Sequence, residues 1–160
     1  MSYDVVPDIM TIGKSFGGGY PVTAVVTNKK ISDAMIPGYD GSTFGGNPMA
    51  MTAALIATRQ MKEKDITKNV IDRSKELRMG LEKLKEKYTI IEDISGRGLM
   101  IAFSVKTAEN VEKLVKNLQD NGVKTSLSTG KYIRFLPPTI ISKGEIQEFL
   151  SRLDKSLEKI

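Results

Sequence analysis

The sequence contains no cysteine and no histidine. Without cysteine there is no disulfide framework, thiol nucleophile or thiolate metal site, and a reducing cytoplasm is the expected compartment. The lack of histidine as well excludes serine–histidine and cysteine–histidine catalysis and the usual zinc sites. Lysine, carboxylates, hydroxyls and the backbone are left to carry any chemistry. No uninterrupted apolar run approaches the roughly 18–20 residues that a membrane helix requires, so no membrane partner is expected. The opening "MSYDVVPDIM" carries acids and a proline where a signal peptide has a basic start and an apolar stretch, and export is not expected.

What is present describes an ordinary globular protein. A chain of 160 residues suits one domain or two small ones, and 40% hydrophobic with 27% charged residues fits that class. The formal charge of +5 raises the question of a nucleic-acid partner. Its distribution answers against one. The lysines of "MKEKDITK" and "LEKLKEKY" alternate with acids, as on a solvated helix face, and no base-stacking aromatic motif accompanies them.

Residues 8–14, "DIMTIGK", read as a short buried strand, and residues 22–28, "VTAVVTN", as a second one rich in β-branched side chains. A helical turn in "ISDAMIPGYDG" breaks at Pro37 and Gly38, and the glycines of "GSTFGGNP" make residues 41–48 a loop. Asn47 then caps a helix with Pro48 at its first position. That helix is apolar nearly all round through Leu55 and Ile56, so its first half is expected to be buried. A longer helix follows from about Ile66 to Lys87, with Ile66, Val70, Leu77, Leu81, Leu84 and Tyr88 on one face.

Beyond it come strands around "YTIIEDI" and "GLMIAFSV", a helix over residues 108–120 stopped by "NG", and strands at "VKTSL" and "YIRFL". The last helix opens with the capping box Ser142–Glu145 and has Ile146, Phe149, Leu150, Leu153 and Leu157 as its core stripe. This order describes an α+β unit with helices on one sheet face. The expected division is therefore residues 1–64, an α/β segment, and residues 65–160, a linking helix with a small α+β domain.

The stretch "TIGKSFGGGYP", residues 11–21, sets one lysine between a strand end and three glycines. "GKS" is the end of a phosphate-binding P-loop, but the frame fails: Asp8 stands where the first glycine belongs, and the glycines follow the lysine instead of preceding it. Two readings of Lys14 stay open on this stretch alone, a Schiff-base nucleophile and a strand-end lysine reaching into water. A lysine amine attacks a carbonyl only after losing the proton it keeps to about pH 10.4 in water, which desolvation or nearby positive charge makes easier. The loop "GSTFGGNP" adds the hydroxyls of Ser42 and Thr43 in a glycine-flanked turn, which suits a phosphate. A carbonyl-seeking lysine and a phosphate cradle together specify pyridoxal phosphate, which has both an aldehyde and a phosphate.

The stretches "VPDIMTIGKSFGGGYPVTAVV", "GSTFGGNPMA", "GRGLMIAF" and "IRFLPPTIIS" are similar, in order and spacing, to those of the class III pyridoxal-phosphate aminotransferases of fold type I. The "RFLPP" segment resembles the family's acetylornithine and acetyl-lysine branch. The resemblance implies that Lys14 holds the cofactor as a Schiff base and moves the substrate's Cα proton. It implies that Thr43, with Ser42 beside it, reaches the cofactor phosphate of a neighbouring protomer, and that Arg134 binds the substrate carboxylate. Gly45, Gly46, Asn47 and Pro48 look structural. Gly96 and Gly98 match a tight turn of the family, which often has arginine where Ser95 stands.

By the same resemblance the chain corresponds only to the C-terminal part of the family. The aspartate that pairs with the pyridine nitrogen, the ring-stacking aromatic and a glycine-rich phosphate turn belong to the part not represented. Neither Asp4 nor Asp8 fits the family's acidic motif. The expected fold is thus a fragment of the large domain, cut from a parallel sheet, followed by the small C-terminal domain. The expected activity is transfer of an amino group from N-acetylornithine or a related donor to 2-oxoglutarate, in a homodimer or with a partner chain that supplies the N-terminal half. The alternative is a non-catalytic module that keeps only the small-domain fold.

Overall fold

The computed structural model describes residues 4–128 and 130–160, and the chain divides into two compact units, Met1–Lys64 and Asp65–Ile160. In the first unit, strands β1 (Ile9–Ile12) and β2 (Ala24–Thr27) pair antiparallel, Ile12 opposite Ala24 and Ile9 opposite Thr27. The hairpin-like return through the glycines, rather than a crossover helix, forces that antiparallel sense. A 3₁₀ turn, Lys14–Gly17, follows β1, a four-residue helix α1 (Lys29–Ser32) follows β2, and α2 runs Pro48–Glu63.

Two expectations fail in this unit. The strand at residues 8–14 is not buried: Ile9 and Met10 are exposed, because no layer among the described residues of this unit covers the two-stranded sheet. The first half of α2 is not buried either, with Met49, Leu55 and Ile56 half or more exposed and only Ala50 and Ala54 inside. Small alanines are the buried side because the 3₁₀ turn packs there, close enough that a Cβ on Gly18 would stand 3.7 Å from that of Ala57.

The second unit is built as its patterning directs. Helix α3 (Ile66–Lys87) precedes β3 (Ile91–Arg97) and β4 (Met100–Val105), then come α4 (Ala108–Asp120), β5 (Ser126–Ser128), β6 (Tyr132–Phe135) and α5 (Lys143–Leu157). The sheet order is β3-β4-β6-β5, antiparallel throughout. Directly opposed residues of an antiparallel pair share a face. Ile94, Phe103 and Ile133 therefore form one row, which joins Leu77, Leu81, Leu114, Leu118, Ile146 and Leu153 of the three helices in a single core. Phe135 stacks on Phe149 of α5 at a centroid distance of 3.7 Å.

The opposite face is polar. One row runs Ser95, Ala102, Arg134, Ser126 and the next Asp93, Ser104, Tyr132. In the latter the Tyr132 hydroxyl donates to Asp93 Oδ2 at 3.3 Å, spanning Ser104, which is buried between them. Helix α5 keeps its capping box: Ser142 Oγ accepts from the Glu145 amide at 3.2 Å and Glu145 Oε2 accepts from the Ser142 amide at 2.7 Å. Expected fold class and observed architecture agree, an α/β first segment and an α+β second one, although the described strands of the first segment pair antiparallel where a piece of a parallel sheet is expected.

Candidate functional site

The first unit carries a cavity of about 430 Å³, and Lys14, Val22, Thr23, Ser42, Phe44 and Met51 are among the residues on its wall. Lys14 reaches this position from an unusual backbone. Gly13 is extended, Lys14 then takes φ 58°, and the 3₁₀ turn closes through Phe16 N–H to Gly13 O at 3.2 Å and Gly18 N–H to Ser15 O at 2.9 Å. A non-glycine residue in the left-handed region costs about 1–2 kcal/mol, and such strain concentrates at functional positions. Gly17 is fixed by space, since a Cβ there would come within 2.5 Å of Val22 Cγ1.

The opposite wall is the loop before α2. Asn47 anchors it at both ends: its Oδ1 accepts from the Ala50 amide at 2.9 Å and its Nδ2 donates to Phe44 O at 2.9 Å. The Gly45 amide donates to Ser42 O at 3.2 Å, folding the loop so tightly that a Cβ on Gly45 would stand 3.0 Å from Ser42 Cβ. Helix capping, read from the sequence as a helix start, thus also holds the hydroxyl-bearing turn in place.

Among the sequence candidates, Lys14 and Ser42 line this cavity together; Thr43 lies in the same loop but not on the wall. Arg134 belongs to the second unit, half-buried on β6, with a buried Nε that has no hydrogen-bond partner among the described residues. Ser95 sits in the same cross-strand row as Arg134 with Ala102 between them. Thr23 and Met51 were not singled out from the sequence. The signal for Thr23 is the hairpin pairing, which sets Ile12 opposite Ala24 and brings Thr23 Cγ2 to 3.4 Å from where a Gly13 Cβ would be.

Lys14 is the only ionisable side chain among the described residues of the wall. An amine, a hydroxyl and a glycine loop that tolerates close approach fit a ligand with a carbonyl and an anionic group, which is the donor set pyridoxal phosphate needs at its two ends. A carboxylate for its ring nitrogen is not on this wall. The described residues hold no cluster of His, Cys, Asp or Glu suited to a metal ion, and no helix among them is long and apolar enough to cross a membrane.

A family profile described as aminotransferase class-III matches residues 1–157. Acetylornithine aminotransferase of Methanocaldococcus jannaschii is 37% identical over 158 residues, covering 99% of this chain and 39% of that protein. Ornithine aminotransferase 1 of Staphylococcus saprophyticus is 34% identical over 96% of this chain and 38% of its own length. Among solved structures, acetylornithine aminotransferase from Elizabethkingia anophelis superposes with a TM-score of 0.92 at 32% identity, covering 99% of this chain and 43% of that one. The ornithine aminotransferase of Toxoplasma gondii, a structure described as having partial occupancy of PLP at its active site, gives 0.91 at 33% identity, over 98% and 38%. The chain therefore spans about two fifths of the length of the relatives it matches.

Proposed function

Because the chain belongs to the class III aminotransferase family, we propose that it is the lysine-bearing part of a pyridoxal-phosphate-dependent transaminase. The reaction in this reading moves an amino group from N-acetylornithine or a related amine donor to 2-oxoglutarate. The observation that carries it is the placement of Lys14, the one ionisable side chain among the described residues of the wall, on a cavity of the first unit. Acetylornithine and ornithine aminotransferases among the relatives, and the "RFLPP" segment, favour that donor class.

When bound, pyridoxal phosphate supplies an aldehyde that carries the amino group and a ring that accommodates the electron pair released at the substrate's Cα. The chain's own residues do the rest. Lys14 holds the cofactor and moves the Cα proton as a general base and acid. Thr43, with Ser42 beside it, offers hydroxyls to the phosphate of the cofactor in a neighbouring protomer, from a loop kept rigid by Asn47. Arg134 binds the substrate carboxylate through its planar fork, and its unpartnered buried Nε is a donor whose desolvation such an acceptor would offset. The acid that pairs with the ring nitrogen belongs to the N-terminal part of the family, which this chain does not represent, and the polypeptide that supplies it also covers the exposed apolar side of the first unit.

Incubation with pyridoxal phosphate, borohydride reduction and peptide mapping test this reading. The modified peptide is expected to contain Lys14. Modification elsewhere, or none even when the N-terminal part of a class III enzyme is supplied, removes Lys14 from the chemistry. A second reading, a non-catalytic module, is favoured by one observation: Ala50 and Ala54 are the buried apolar side chains of the first unit, whereas the second has a full core. A visible absorption band on adding cofactor distinguishes the two, since a bare scaffold stays colourless.

A further inference from the structure

We propose that Asn121–Gly122, where α4 ends, is a modification site governed by α5: released from that helix, the asparagine converts to aspartate or isoaspartate through a cyclic imide, and the new carboxylate weakens the seat it left. Asn121 alone among the asparagines of the sequence precedes glycine, the residue that least obstructs attack by its own backbone nitrogen on the side chain before it. The glycine is not replaceable. It has φ 74°, in the left-handed region that ends helices, and a Cβ there would stand 2.5 Å from Arg152 Nη1.

In the folded chain each group the reaction needs is held elsewhere. Asn121 has ψ 12°, which nearly eclipses the Gly122 nitrogen with the backbone nitrogen of Asn121 and turns it away from the side-chain carbon it would attack. The Gly122 N–H donates to Gln119 O at 2.9 Å. Nδ2 of Asn121, the leaving group, donates to Asn117 O and to Ser156 Oγ, both at 2.9 Å. From α5, Arg152 Nη1 donates to Asn121 O at 2.9 Å and to Gly122 O at 3.2 Å, clamping the carbonyls on either side of Gly122. Ser156 is fully buried and donates its one proton to Arg152 O at 2.7 Å, so it faces Nδ2 as an acceptor.

When α5 lets go, the Gly122 nitrogen loses its proton to solvent base and bonds to Asn121 Cγ. The bond from Cγ to Nδ2 breaks, and the nitrogen leaves as ammonia with a proton from water. Water then opens the ring at either carbonyl, with no change of oxidation state. The carboxylate has no donor for Asn117 O or Ser156 Oγ, so oxygen faces oxygen at both and α5 reseats less firmly.

Incubation of the full chain at mildly alkaline pH, with and without urea, followed by peptide mapping, tests this. Conversion at Asn121 is expected to be roughly tenfold or more slower in the folded chain than in urea, because the reaction draws only on the open fraction. R152Q, which empties the clamp, should speed conversion of the folded chain by about threefold or more. Should that variant not fold, S156A, which removes the acceptor for Nδ2, takes its place with the same expectation. N121D should unfold at lower urea than the parent. The proposal is overturned if folded and urea-treated chains convert at one rate, if the folded variant converts no faster than the parent, or if N121D unfolds with the parent.

Discussion

Lys14 combines the amine proposed to hold the cofactor with a backbone conformation that suits glycine, and the two properties can be separated by substitution. Lys14→Ala keeps the strain and Lys14→Gly releases it, so the glycine variant should be the more stable by about 1 kcal/mol, while both lose borohydride-fixed cofactor. Hydrogen exchange at the amides of Phe16 and Gly18, whose bonds close the turn, reads the difference; equal protection in the two variants would mean that the φ of 58° stores no strain. A second residue-scale prediction concerns Asp154. Lys87 Nζ at 2.8 Å and the Tyr88 hydroxyl at 2.7 Å donate to its carboxylate and hold it below the usual carboxylate range. A carboxyl depressed in the folded state contributes stability above its unfolded value of about 3.9, and that contribution is lost as pH falls through the folded value. Urea midpoints should thus fall more steeply below about pH 4 in the parent than in Asp154→Asn, by a modest amount because the pair is partly exposed. The sequence singles Lys14 out as a candidate through its neighbours; its left-handed backbone is not visible there, because nothing in residue type distinguishes a left-handed lysine from an ordinary one.

The elements whose ends carry chemical markers were legible to the residue. Ser142 and Glu145 mark the start of α5, Asn47 and Pro48 that of α2, and both caps form. Ser142→Ala should cost about 1 kcal/mol in thermal or chemical unfolding of the second unit. A change at the β3–β4 hairpin should cost more: Gly96→Ala places a methyl 2.2 Å from a backbone oxygen at a φ that L-residues avoid, so several degrees of melting temperature should go with it. If G96A melts with the parent, the hairpin geometry described above is wrong. Strand boundaries were less legible. The expected strand over residues 88–94 begins instead at Ile91 and extends to Arg97, because Tyr88 caps α3 by donating its backbone N–H to Leu84 O at 2.8 Å, and Ile91 N–H turns back to donate to Tyr88 O. Apolar content marked the strand, while the helix end decided where it could start.

At the scale of the molecule the two units differ in what they bury. Residues Asp65–Ile160 enclose a core drawn from three helices and a four-stranded sheet, whereas the described residues of the first unit leave Val25, Met35, Ile36, Phe44 and Ile56 at the surface. Limited proteolysis should therefore cut first within residues 1–64 and leave a resistant product that starts near Asp65. Equal resistance across the chain would contradict the uneven burial. Periodicity predicted apolar strands and an apolar helix in the first unit correctly, yet it also predicted them buried, since a hydrophobic pattern announces that a face wants cover without saying whether the same polypeptide provides it. The β1–β2 pair carries this furthest. Neither four-residue strand holds a charge or a proline, and each has an outer edge with no neighbour among the described residues. Such edges recruit more strands of their own kind, so the isolated polypeptide should stay dispersed only when dilute, and its turbidity on concentration should clear when a covering subunit is made alongside it.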